Sequence, residues 1–226
     1  MNTAFFLTLI DVAELDRYEM GEGRRGICLV INNVNFLGED ERRGGEIDEK
    51  KIAVLFSEEL HFKVKVKRNL GGLEILRIAQ KIAAKDHSQY SAFVFVIMSH
   101  GDKKDAIQGV DGRKAGVEDL MGEFTATNCP TLQNKPKLFF IQACRGQGSD
   151  SRKKRLPAST DDIVGDSIAI MNAPDSTLAN GVSPREADFL LAFATVPGYK
   201  AWRSKIAGSW FIQVSICVRN TQKPRH

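Results

Sequence analysis

Lys137–Gly146 reads KLFFIQACRG, an apolar run that gives way to alanine, a thiol, an arginine and a glycine. A short apolar stretch ended by a turn is a buried strand, and Cys144 stands just past its end. Ala92–Met98 (AFVFVIM) repeats the pattern and is followed by Ser99-His100-Gly101. Arg25–Asn33 (RGICLVINN) ends in an asparagine pair, and Phe189–Thr195 is a further apolar run. Residues 46–60 bring Ile47, Ile52, Leu55, Phe56 and Leu60 near helical spacing, as residues 72–85 do with Leu73, Leu76, Ala79, Ile82 and Ala83. Val64 and Val66 alternate with Lys65 and Lys67, a half-exposed strand. Strands alternating with helices predict an α/β fold with a mostly parallel sheet wrapped by helices. In such sheets sites collect at the carboxyl ends of strands. His100, Cys144 and the Pro197–Arg203 loop all follow such ends.

The 226 residues suit one α/β domain and are enough to bury a sizeable core. Hydrophobic content of 42% and charged content of 27% are ordinary for a soluble globular chain. A net charge of +4 is mild, hints at acidic partners and does not demand nucleic acid. No run approaches the ~18 apolar residues of a membrane helix. The apolar start at residues 4–10 lacks a basic flank and meets Asp11, which argues against a signal peptide. Cys28, Cys129, Cys144 and Cys217 show no CxxC spacing, so reduced thiols in a cytoplasmic protein are expected. No Cys/His pair stands at ligand spacing, so neither metal nor cofactor is expected. Residues 34–45, rich in Gly, Asp, Glu and Arg, read as an exposed loop. Between Gly146 and Pro184 the apolar period collapses, and the stretch reads as an exposed linker. Its Arg152-Lys153-Lys154-Arg155 run is read as a solvated charge cluster ahead of a nuclear signal or a basic-residue protease site.

Cys144 and His100 carry the chemistry. The thiolate, not the thiol, attacks a carbonyl, and a neighbouring imidazole stabilises the thiolate and later protonates the leaving amine. The resulting oxyanion needs donors, and the backbone N–H groups of Gly101 and Cys144 are candidates. Taken singly, Cys144 reads sooner as a core cysteine and His100 as a satisfied loop histidine. Together at strand ends, each near glycine, they favour the catalytic reading. His61 and His87 lie in polar segments and His226 is terminal.

In these residues the chain resembles the caspases, for which QACRG with an upstream histidine is itself the recognised signature. The matching stretches are Tyr18–Asn33, Arg42–Asp48, Ser99-His100-Gly101, Pro136–Gly146 and Glu186–Gln213, with PGYKAWRS and GSWFIQ adding independent weight. The resemblance implies a caspase-like (caspase–hemoglobinase) three-layer α/β fold, a mostly parallel central sheet flanked by helices. It divides the chain into a short N-terminal segment (1–17), a large-subunit region (18–148), an intersubunit linker (149–183) and a partial small-subunit region (184–226). It also implies a cysteine endopeptidase that cleaves after aspartate, made as a cytoplasmic zymogen and acting in apoptosis. Cys144 would be the nucleophile, His100 the acid/base, and Gly101 and Cys144 the oxyanion hole. Arg42, Gln142 and Arg203 would form the aspartate pocket, bordered by Ser99, with Arg43 a register rival for Arg42. Paired guanidinium groups suit this task because they return planar hydrogen bonds to a carboxylate that has lost its water. Legumain-like or metacaspase peptidases that select basic residues would want acidic groups at those positions.

Backbone around Arg203, Ser204 and Lys205 would pair with the substrate strand. Tyr199, Trp202 and Trp210 would wall the cleft, or else pack the core. Lys200 and Ala201 replace an aromatic residue and a serine common in effector-type members. Implied partners are protein substrates with aspartate before the cut, an upstream activating caspase and a second copy of the chain. Implied processing sites are Asp166, then Asp175, with Asp150 and Asp162 behind them. Residues 1–17 are too short for a death-effector or recruitment domain, as in short-prodomain executioners. The match stops near Cys217, where Val218–His226 (VRNTQKPRH) is polar, so an incomplete carboxyl end is expected. That motivates an alternative from another class: a truncated, non-catalytic isoform that binds caspase partners as a decoy or regulator.

Overall fold

β3 (Ala92–Met98) and β6 (Lys137–Gln142) lie side by side in parallel, with Phe93 opposite Lys137 and Met98 opposite Gln142. The two strands that precede His100 and Cys144 therefore end at one level. A computed structural model describes residues 18–21, 23–38, 41–102, 104–146, 169–172 and 187–220, with side chains for all of these except 169–172 and 216–220. β1 (Gly26–Asn32) flanks β3, and β2 (Lys63–Arg68) flanks β1, both parallel. On the other side β8 (Phe189–Phe193) runs parallel to β6, and β7 (Ala169–Asn172) runs antiparallel to β8. The order is β2-β1-β3-β6-β8-β7.

Alternation along the strands sends side chains to two opposite cores. Phe93, Phe95, Ile97, Phe139 and Ile141 join Ile75, Ala79 and Ile82 of α2 (Gly72–Ala83) and Val117 and Leu120 of α3 (Val117–Gly122). Val94, Val96 and Met98 face Ile52 of α1 (Gly45–Val54) and Phe211 and Ile212 of α4 (Trp210–Asn220). Both faces being covered explains why the strands read as continuous apolar runs rather than as alternation. Each fully buried phenylalanine contributes roughly 1.5–3 kcal/mol. The result is three layers, helices–sheet–helices, and an α/β fold. Among the described residues no helix is long and apolar enough to cross a membrane.

Several sequence readings need correction. The stretch read as an exposed loop, 34–45, is exposed at Asn35, Leu37, Gly38, Glu41 and Arg43, but Val34, Phe36 and Arg42 are buried. The ring of Phe36 packs 4.5 Å from that of His100, which draws the loop inward. Gly44 turns the chain into α1 at φ 87°, and a Cβ there would lie 2.6 Å from the carbonyl oxygen of Ser204. α1 ends in a π-helical turn, Leu55–Glu59, and buries two acids, Asp48 and Glu49, beside its apolar residues. On α2 Ala79, Ile82 and Ala83 are buried as expected and Leu76 packs against their cluster, but Leu73 is exposed and Ile75 joins the core instead. The presumed linker contains β7, and the hairpin β4 (Ala106–Gln108) and β5 (Lys114–Gly116) had no counterpart in the sequence reading. His87, in a segment read as polar, is fully buried with Nε2 2.9 Å from the carbonyl of Ile82.

Candidate active site

The exits of β3 and β6 are stitched together by the Ser99 N–H, which donates to the Gln142 carbonyl at 3.1 Å. Ser99 Oγ donates to the carbonyl of Gln108 at 2.6 Å, and Gly101 bridges to Ile107. The β4 hairpin thus braces the segment that carries His100. A Cβ at Gly101 would sit 2.5 Å from the Cys144 carbonyl oxygen and 2.9 Å from the Ala143 Cβ. Only glycine lets the two strand exits approach so closely.

Ser99, His100, Ala143 and Cys144 line one face of a cavity of about 160 Å3. Arg42, Gln142, Lys200, Ala201 and Arg203 line the same cavity. The cavity has three cationic side chains and no carboxylate on its lining. Cys144 is partly exposed, and Sγ accepts a hydrogen bond from the Ala201 N–H at 3.4 Å. Among the other described thiols, burial pushes Cys28 far up, and burial also raises Cys129. Neither supplies a thiolate near neutral pH.

Arg42 is only 3% exposed. Its Nη1 donates to Asn32 Oδ1 at 3.4 Å, and Asn32 in turn donates to Glu49 Oε2 at 3.1 Å. Arg68 closes this chain with a forked pair on Glu49, its Nε 2.9 and 3.1 Å from the two oxygens. Burial, and then the charge of Arg203, push Arg42 down to about 9, which still leaves it cationic at neutral pH. Burial likewise lowers Arg203. Three buried polar atoms here have no partner: Arg42 Nη2, Arg203 Nη1 and Gln142 Oε1. Such atoms cost about 1–3 kcal/mol each when unsatisfied. Behind them Asp48 is fully buried and receives the Ser209 N–H at 2.8 and 3.0 Å. Burial raises its carboxyl, and the Ser209 bonds and then the two arginines pull it back in part.

The cavity therefore gathers Arg42, Ser99, His100, Gln142, Cys144 and Arg203, while Gly101 lies against Cys144 beneath it. Arg43 is exposed and pairs with Glu41, whereas Arg42 lines the cavity. Four expected cleft residues do not line this cavity. Tyr199 and Trp210 are exposed, and Trp202 is buried. Ser204 Oγ is engaged as acceptor by the N–H groups of Ile206 and Ala207. Arg203 and Ser204 form β9, which pairs with β10 (Gly208–Ser209). Asp150, Asp162, Asp166 and Asp175 lie outside the described residues. Asn32 and Asp48 escaped sequence reasoning. An asparagine at a strand end and an acid within a helix carry no signal of facing an arginine.

A thiol and an imidazole on the wall of one cavity suit nucleophilic acyl transfer. Two guanidinium groups, each with a buried nitrogen that has no partner, suit a carboxylate. A family model described as a caspase domain matches residues 25–224. Caspase-3 of Xenopus laevis is 39% identical over 207 residues, covering 91% of this chain and 67% of that one. Caspase-3 of Mus musculus is 37% identical over 88% of this chain and 66% of its own length. Caspase-8 of Mus musculus is 36% identical over 88% of this chain and 42% of its own. The chain thus spans about two thirds, 66–67%, of the length of these caspase-3 relatives.

Proposed function

The chain belongs to the caspase family, and on that premise we propose that it is a cysteine endopeptidase that cuts protein substrates after aspartate in apoptosis. The observation that carries this reading is the shared cavity. Cys144 and His100 meet there with Arg42 and Arg203, each holding a buried nitrogen that lacks a partner.

The substrate aspartate enters between the two guanidinium groups and exchanges its water for Arg42 Nη2 and Arg203 Nη1. Burial and then the charge of Arg203 lower Arg42, and the substrate's negative charge offsets the second of these. Gln142 adds a donor when its amide rotates to turn Nε2 inward. An asparagine side chain would leave the buried charges unneutralised. A site built on such hydrogen bonds rejects the wrong partner by up to about 10⁴-fold or more.

The bound carboxylate sets the scissile carbonyl over Cys144. The thiolate, supported by the Ala201 N–H, attacks the carbonyl carbon and forms a tetrahedral oxyanion. The N–H groups of Gly101 and Cys144 stabilise that oxyanion. The C–N bond breaks as His100 gives its proton to the departing amine, leaving a thioester on Cys144. His100 then takes a proton from water, whose oxygen attacks the thioester and releases the new carboxylate. Fluorogenic peptides ending in aspartate before the dye test this cycle. Cys144→Ala is expected to abolish turnover, and turnover that survives it would contradict the assignment.

A further inference from the structure

The loop after His100 holds two aspartates with different destinations. Asp102 pairs with Lys114 within the β4–β5 hairpin. Asp105 turns toward the residue after the nucleophile. We propose that Asp105 is a positioning residue for the catalytic centre, acting through Arg145. The proposal rests on His100 and Cys144 being the reacting pair.

Arg145 is 4% exposed, so its charge is buried and must be matched. Its Nε and Nη2 each lie 2.5 Å from one oxygen of Asp105, a fork-to-fork pair. Nη1 donates to the Thr195 carbonyl at 3.5 Å, and the guanidinium lies 3.9 Å from the ring centroid of Phe193 at the end of β8. Its backbone is also engaged: its N–H donates to the Tyr199 carbonyl at 2.9 Å, and its carbonyl accepts the Gly198 N–H at 2.7 Å. One residue beside Cys144 therefore ties down three chain segments. They are the loop that carries His100, the exit of β6, and the loop that leads to Ala201 and Arg203. The link to the His100 loop runs through the Asp105 carboxylate. Asp105 does not line the cavity, so it touches no reacting atom.

Its backbone fixes how the idea is tested. Asp105 sits at φ 52°, in the left-handed region, and its carbonyl accepts the Val117 N–H. Asn and Gly adopt that region readily. Asp105→Asn and Asp105→Gly therefore remove the charge, or the whole side chain, while keeping the turn.

The experiment measures alkylation of Cys144 by iodoacetamide in the full chain, read on its peptide by mass spectrometry, beside turnover of an aspartate peptide. His100→Ala reports the pair itself and Asp102→Asn is the control. Misplacing a reacting group by about 1 Å costs up to ~10²-fold. Slower alkylation in His100→Ala is expected. A fall of about tenfold or more in both alkylation and kcat is expected in Asp105→Asn, larger in Asp105→Gly. KM should change little, the melting temperature should fall because the buried Arg145 loses its carboxylate partner, and Asp102→Asn should match the parent. If His100→Ala slows alkylation while both Asp105 variants match the parent, or lose only melting temperature, the positioning role is overturned. If His100→Ala has no effect, the reacting pair is overturned, and the role of Asp105 with it.

Discussion

Arg42 works against the fold it belongs to. A guanidinium with 3% exposure and an unpartnered Nη2 is held where burial, and then the charge of Arg203, lower its pKa to about 9. A base whose folded-state pKa is depressed costs stability wherever it is charged in both states, neutral pH included. Arg42→Met should therefore raise stability at neutral pH, by about 1–4 kcal/mol on the precedent of buried charges replaced by apolar side chains. The same change should lower kcat/KM on an aspartate peptide by roughly 10²-fold, the worth of ~3 kcal/mol of charged hydrogen bonding. Thermal melts and steady-state kinetics on one preparation test both arms. Asp48 gives a second residue-level test. Its carboxyl is raised above 3.8, chiefly by burial. The group therefore favours the folded state while protonated. That contribution is complete below 3.8 and is lost as pH rises through the folded-state pKa. Asp48→Asn should melt above the parent at pH ~7, with the gap closing as pH falls toward ~4. A gap that widens in acid would contradict the sign.

At the scale of elements, the site depends on β3 and β6 ending at one level. Met98 opposite Gln142 fixes the height at which His100 and Cys144 leave the sheet. Gly101→Ala tests this, since the added Cβ would meet the Cys144 carbonyl oxygen at 2.5 Å. Turnover should fall by at least ~10²-fold, because the displaced atoms are those next to the nucleophile. An unchanged kcat would show that the two exits are not held so tightly. The four buried strands could be read from sequence because a strand covered on both faces is apolar throughout. β2 could be read because Lys63, Lys65 and Lys67 alternate with its valines and keep a free sheet edge charged. β4, β5 and β7 could not: strands of three or four residues complete too little of a period to register. The 34–45 loop misled for another reason. A polar stretch reads as solvated, but Arg42 is buried against Asn32 and Phe36 packs on the ring of His100.

At the scale of the molecule, one sheet joins chain regions far apart in sequence. β8, from the carboxyl-terminal part, lies between β6 and β7, and its exit carries the loop to Arg203. Arg42 reaches the same cavity from beyond β1, and His100 and Cys144 from the centre. Cys144 and His100 were legible as a thiol and an imidazole at strand ends, whereas Arg42 and Arg203 were legible only through the resemblance to the caspases. Asn32, Asp48 and the Asp105–Arg145 pair were not, because a partner across the sheet leaves no spacing in the sequence. The central claim is that the pair Arg42 and Arg203 makes this cysteine site select a carboxylate. It is tested most directly by the ratio of kcat/KM for two otherwise identical fluorogenic peptides, one with aspartate and one with asparagine before the scissile bond. The account predicts a ratio on the order of 10⁴ in favour of aspartate, and equal turnover of the two peptides would contradict it.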